Sequence, residues 1–278
     1  NGGYRGHQLN SPYGIAVDAR TVLGSPAGRL LVADGGNNRV AIFNPDGSAA
    51  FGTEAEPIHA QFELPVDISG DPLAPGLEPV RPDLVAISPG AVVLAPGPEL
   101  LPGDPAENDR IVVTDRWHCY VLIMDTAFNL VKSLPEANPE SPQHHSCHDP
   151  ETRLPTDPEV FVPTQEGEFS TVTGVKIDRN GNIYVADHAQ NVVQVFDRDG
   201  NFVTWIGKPG GDNPVDVEGQ LQGPVGLLLD QFGGVNGDQF QRLGVIDEGN
   251  GRAVFYDIKN GPANATFEFQ LDVTVGVD

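Results

Sequence analysis

The stretch from Gly181 to Phe202, GNIYVADHAQNVVQVFDRDGNF, constrains this chain most. Ile183 to Ala186 is a short apolar run of β-formers ending on Asp187. Val192 to Phe196 is a second such run, alternating around Gln194, and Asp199-Gly200 follows. Asp-Gly between two apolar runs predicts a tight hairpin of type I′, because Gly supplies positive φ cheaply. The stretch reads as strand, polar turn, strand, tight turn, strand, a unit too small to bury its own faces.

The unit recurs. A first copy opens at Pro12 with PYGIAVD and continues as GRLLVADGGNNRVAIFNPDGSAAF. A second opens with QFELPVDIS, Gln61 to Ser69, and resumes at RIVVTD, Arg110 to Asp115. A third opens at VTGVKID, Val172 to Asp178, and a fourth at GPVGLLLD, Gly223 to Asp230. The terminal VTVGVD, Val273 to Asp278, looks like the start of a further copy. The strand-ending Asp precedes the hairpin Gly by 13 positions in copies one and three (34 to 47, 187 to 200). Repeated antiparallel units of this size predict an all-β fold, a β-propeller of four-stranded antiparallel blades. Four blades are recognisable, and the ring is six-bladed if insertions hide blades. The chain reads as one domain, 1–278, with insertions at 70–109 and 135–170. Long Pro-rich insertions are either functional loops or rigid packing covers.

The pattern P-x-G-I-A-V-D, then I-Y-V-A-D, G-x-N-x-R-V, Phe and Asp-Gly resembles the NHL repeat. The resemblance covers copies one and three closely and copy four fairly well. Copy two follows only in outline, with Tyr120 where copy one has Arg39. It implies a propeller in which the repeat Asp is scaffold: its carboxylate accepts turn amides, and an Arg that follows pairs with it. Amidating lyases of this propeller class hold zinc through His in a P-H-G pattern. The corresponding positions here are Pro12-Tyr13-Gly14, Pro65-Val66-Asp67, Thr173-Gly174 and Pro224-Val225-Gly226, without His. That speaks against the lyase activity.

Composition narrows the partners. The formal charge is −23, and Lys132, Lys176, Lys208 and Lys259 are the lysines. Nucleic acid is excluded as a partner because phosphate binding needs a basic face. The acidity is read as solubility in a salty or calcium-containing medium, with carboxylate sites for hard cations as the sharper alternative. No D-x-D-x-D-G loop of the kind that wraps calcium occurs. No apolar run is long enough to span a membrane. The chain begins at Asn1 without Met or signal peptide, which gives the expectation of a processed or partial product. Low Lys content, two cysteines and abundant Pro point to an extracellular or periplasmic setting. Asn264-Ala265-Thr266 is a glycosylation sequon.

Within a propeller blade the turns between second and third strands, and the links from one blade to the next, lie on one face. All seven histidines fall there. The densest group is His144, His145 and His148 around Cys147, with His118 and Cys119 in the neighbouring turn. Imidazole and thiolate are ligands for zinc or copper. The same two cysteines are the chain's single pair for a disulfide, Cys119–Cys147, which would staple the long link. Two functions follow. One is a non-enzymatic extracellular binding or assembly module, meeting a protein partner or itself through this loop-bearing face. The alternative is a metal-dependent, zinc-type lyase or hydrolase, with His118, His144, His145 and His148 as ligands and Asp149 or Asp115 as base. No cofactor is demanded by the sequence; zinc and calcium are the candidates.

Overall fold

In the computed structural model the described residues are 9–10, 12–18, 29–34, 39–48, 52–53, 56–57, 82–87, 111–115, 120–124, 130–134, 166–178, 180–209, 218–230 and 241–272. They divide between two compact units, Asn1–His145 and Ser146–Asp278. The strands are β1 (Pro12–Asp18), β2 (Arg29–Asp34), β3 (Arg39–Phe43), β4 (Gly52–Thr53), β5 (Glu56–Pro57), β6 (Pro82–Ile87), β7 (Ile111–Asp115), β8 (Tyr120–Met124), β9 (Leu130–Leu134), β10 (Val172–Ile177), β11 (Ile183–Asp187), β12 (Val192–Phe196), β13 (Phe202–Gly207), β14 (Pro224–Asp230), β15 (Arg242–Asp247), β16 (Arg252–Asp257) and β17 (Thr266–Asp272).

Three sheets are four-stranded antiparallel meanders, β6-β7-β8-β9, β10-β11-β12-β13 and β14-β15-β16-β17. The sheet β1-β2-β3 has the same order with three strands, and β4 and β5 pair separately. These sheets are blades, and the fold is a β-propeller. The irregularities repeat as well. Every first strand carries a bulge just inside its start, at Pro12/Gly14, Pro82/Leu84, Val172/Gly174 and Pro224/Gly226. Each time, the first residue pairs with the repeat Asp of the second strand: Asp34, Asp115, Asp187 or Asp247. A bulge recurring at one register position is a feature of the repeat, since it bends the strand and re-aims the residues after it.

This register corrects one strand. Gln61 to Ser69 lies outside the described residues, and the strand that pairs with β7 is Pro82–Ile87, inside the 70–109 segment. The second sheet therefore draws its first strand from a stretch read as an interruption. The hairpin turn is also of another kind. Gly47 and Gly200 have φ of +83° and +77°, but among the described residues the one non-Gly residue with positive φ is Asn191, so Asp199 does not take type I′ geometry. Instead the Gly200 amide donates to the Asp197 carbonyl at 3.0 Å, and the Asp197 amide donates to the Asn201 carbonyl at 2.8 Å. Asp197 Oδ1 meanwhile accepts from the amides of Asp199 and Asn201. That is a type I turn followed by a left-handed Gly, the three-to-five-residue hairpin connection. The same device joins β10 to β11, where Asp178 Oδ1 accepts from the amides of Asn180 and Asn182 and Gly181 has φ +86°.

Each unit has its own core between paired blades. In the first, Leu31, Ala33, Val40 and Ile42 of one sheet meet Ile111, Val113, Leu122 and Met124 of the next. In the second, Tyr184, Val193, Val195 and Ile206 meet Leu243, Val245, Val254 and Tyr256, with Leu221 and Ile258 closing the edges. These positions alternate along their strands, as one face of a pleated sheet requires. Each fully buried aliphatic side chain contributes about 1.5–3 kcal/mol. Among the described residues no helix is long and apolar enough to cross a membrane.

Candidate functional site: the turn-bearing face of the third and fourth blades

The repeat carboxylates are engaged by backbone. In the first blade Asp34 Oδ1 accepts from the Asn10 amide at 2.6 Å. In the third, Asp187 accepts from the Ser170 amide at 2.8 Å, the Thr171 amide at 3.0 Å and both the amide and side chain of Gln190. In the fourth, Asp247 Oδ1 accepts from the Gln222 amide, and Oδ2 pairs with Arg252 Nε at 2.8 Å. Each carboxylate thus pins the residues just before the first strand of its own blade. The scaffold role expected of this Asp holds, and so does its pairing with an Arg, at Asp247–Arg252. In the third blade no Arg is available, and Gln190 supplies the donor instead.

Buried amide side chains finish the work. Gln194, inside β12, accepts from the Gly167 amide at 3.0 Å and donates to the Glu168 carbonyl at 2.6 Å; Gln190 donates to the same carbonyl. Arg252 also donates to the Gln220 carbonyl and to Gln270 Oε1. Burial pushes the Asp187 carboxyl above the ordinary carboxylate value, while its four hydrogen bonds pull the other way. Tyr184 and Tyr256 phenols are likewise raised by burial, and nearby Asp178 and Asp247 add to this.

What does face outward is the seam where two turns meet the link between the blades. The turn from β11 to β12 brings His188 over Gly223, whose φ is +62°; a Cβ there would stand 2.8 Å from His188 Nε2. Asn191, left-handed at φ 61°, accepts the Gly223 amide on its Oδ1 at 2.8 Å. The turn from β15 to β16 is a short 3₁₀ segment, Glu248–Asn250, whose Glu248 and Gly249 amides donate to the carbonyls of Gly223 and Gln222. Glu248 Oε2 lies 3.5 Å from His188 Nε2, and both side chains are well exposed. Two turns and one inter-blade link are therefore locked into a single rigid surface that carries an imidazole–carboxylate pair. As an exposed ion pair it adds little to stability. Chemically it offers a partner one donor and one acceptor side by side.

His118, His144, His145, His148, Cys119 and Cys147 lie outside the described residues, as do His7, His59 and Asp149. Asp115 is placed only as the last residue of β7. Among the described residues no group of three or more His, Cys, Asp or Glu is placed to hold a metal. His188 does lie on the turn-bearing face. Nothing in the sequence marks Gln190, Gln194 or Asn191 for these roles, for amide side chains carry no signature until the register shows which backbone they meet. Asn264 of the sequon is exposed in a 3₁₀ turn before β17, its Nδ2 donating to the Asn260 carbonyl.

Neither a family model nor a curated protein sequence matches the chain. Solved structures do. A catalytically inactive virginiamycin B lyase from Staphylococcus aureus with quinupristin aligns at TM-score 0.49 and 10% identity, covering 96% of this chain and 57% of that one. The nidogen/laminin complex aligns at TM-score 0.46 and 14% identity, covering 93% and 65%. BBS1N in complex with ARL6DN aligns at TM-score 0.45 and 15% identity, covering 95% and 56%. The chain thus spans 57% of the length of the lyase it resembles. Assignment as a propeller rests on the blades described above.

Proposed function

We propose that this chain is a non-enzymatic, extracellular NHL-type propeller segment, a binding or assembly module that contacts a protein through its turn-bearing face. One observation carries this reading. The polar residues that the repeat supplies, Asp34, Asp187, Asp247, Gln190 and Arg252, are used up in fastening backbone, whereas His188 and Glu248 stand outward on a surface held rigid beneath them. A preorganised, exposed polar surface is what recognition of a protein partner needs, and fold by itself confers no activity.

Photo-crosslinking tests it. A photoreactive side chain at Glu248 is expected to capture a protein from the native extracellular fraction. The same group at Asp199, in the opposite turn, is expected to capture none. Equal capture at both sites, or capture only at Asp199, overturns the reading. Elemental analysis of the native protein runs alongside. A full equivalent of zinc, lost on replacing His118 and His148 by Ala, would establish the metal-dependent alternative in its place.

A further inference from the structure

Docking through Glu248 leaves unused a group at the other end of the same blade. Asn264-Ala265-Thr266 lies in the connection from β16 to β17. Glu248–Asn250 lies in the connection from β15 to β16, and antiparallel strands put successive connections at opposite ends of a sheet. β16 separates the two, and at about 3.4 Å per residue its six residues span about 17 Å. The hairpin turn around Asp199, between β12 and β13, lies at the same end of the third blade as Asn264 does of the fourth.

The triplet marks an acceptor asparagine in sequence, and the fold decides whether that asparagine is available. The connection is a short 3₁₀ segment, Pro262–Asn264. Within it the Asn264 and Ala265 amides donate to the carbonyls of Gly261 and Pro262, each at 3.1 Å. Pro262 is buried, and Ala265 packs against the core shared by the two blades. The residues on either side of Ala265, Asn264 and Thr266, are exposed, as are Lys259, Asn260 and Ala263 around them. The carboxamide and the hydroxyl two positions on are therefore both on the surface, anchored by the apolar residue between them. Asn264 Nδ2 donates to the Asn260 carbonyl at 3.0 Å. A carboxamide nitrogen has two N–H groups, so substitution of one leaves the other to keep this bond. The turn can carry a substituent on Nδ2 without being opened.

We propose that Asn264 is an N-glycosylation site, and that its glycan shields the end of the blade opposite the docking face. The inference rests on the extracellular reading above. The donor is an oligosaccharide linked to a polyprenyl diphosphate. Nδ2 of Asn264 attacks the anomeric carbon of the first sugar. The N–C bond forms as the C–O bond to the diphosphate breaks, Nδ2 gives up one proton to a base of the transferase, and the lipid diphosphate leaves with the electron pair. Thr266 supplies the hydroxyl of the acceptor triplet, and Ala265 meets the requirement that its middle residue not be Pro. A glycan is bulky and strongly hydrated. At this end it stands clear of His188 and Glu248, and it hinders approach to the side of the blades where Asp199 lies.

Mass spectrometry of the peptide spanning Asn264, from chain purified out of the native extracellular fraction, tests this. Release with peptide-N-glycosidase in heavy-oxygen water is expected to leave a labelled Asp at position 264. The full chain routed through the secretory pathway of cultured insect cells is expected to carry the same glycan. Thr266→Ala, which keeps Asn264 and its turn bond, is expected to carry none, and Thr266→Ser to carry it still. Photo-capture at Glu248 is expected to be unchanged after glycan release. An unmodified Asn264 in the extracellular chain overturns the proposal and leaves the extracellular reading standing. Recovery of the chain from the cell interior alone overturns that reading, and this inference with it. A glycan that persists in Thr266→Ala, or capture at Glu248 that changes when the glycan is removed, also overturns it.

Discussion

At Asp187 a carboxylate enclosed by protein accepts two link amides and both nitrogens of Gln190. Asp187→Ala removes the acceptor and leaves those donors buried. A loss of about 2–4 kcal/mol in unfolding free energy is expected, because an unsatisfied buried donor costs more than the bond was worth. The penalty also has a pH dependence. Burial holds the folded carboxyl above its ordinary value of 3.8. A raised folded value means that the native state binds the proton more tightly than the unfolded chain. Its contribution is then complete below 3.8 and fades as pH rises through the raised folded value. Urea titrations of wild type and variant across acid to neutral pH should show the alanine penalty shrinking as pH climbs. A penalty that grows with pH would mean that the four hydrogen bonds outweigh burial. This aspartate's scaffold role was legible from its place at the end of IYVAD. Its partner Gln190 was not, since nothing in the turn sequence AQN says that the amide bends back beneath the strand end.

Among the elements, the blade's strands were legible wherever an apolar run ended on Asp, as in β2, β7, β11 and β15. The first strand of the second blade was not. QFELPVDIS has the residue pattern of an opening strand, and the strand that pairs with β7 is PDLVAI. What PDLVAI shares with PYGIAVD and PVGLLLD is a Pro at the position facing the repeat Asp, a signal of register that is invisible before pairing is known. The turns were legible as turns, but their type depended on Asp197 and Asp178 capping the following amides. The seam between the third and fourth blades yields a prediction at this scale. Gly223→Ala forces a Cβ into a left-handed residue and against His188 Nε2. The backbone part costs about 1 kcal/mol. The steric part is smaller, since the imidazole can swing outward and give up only its exposed neighbour Glu248. On a His188→Ala background the steric part vanishes and the backbone part stays. A double-mutant cycle by thermal or chemical unfolding should therefore return a coupling of about 0.5–1 kcal/mol. A coupling of zero would place the ring away from Gly223 in solution.

For the molecule as a whole, net charge sets the response to salt. The chain carries a formal −23, so like charges repel one another across the folded surface. Positive charge on the fourth sheet is already committed, with Arg242 bidentate to Glu268 and its guanidinium over the Phe269 ring. Self-repulsion burdens the compact state more than the expanded one, and salt screens it. The screening length falls from about 30 Å at 0.01 M to about 8 Å at 0.15 M ionic strength. Unfolding free energy should rise over that range, with no change in the circular dichroism of the folded chain. Urea titrations at the two ionic strengths read the sign directly. A stability that falls as salt is added would show that attractive pairs such as Arg242–Glu268 outweigh the repulsion.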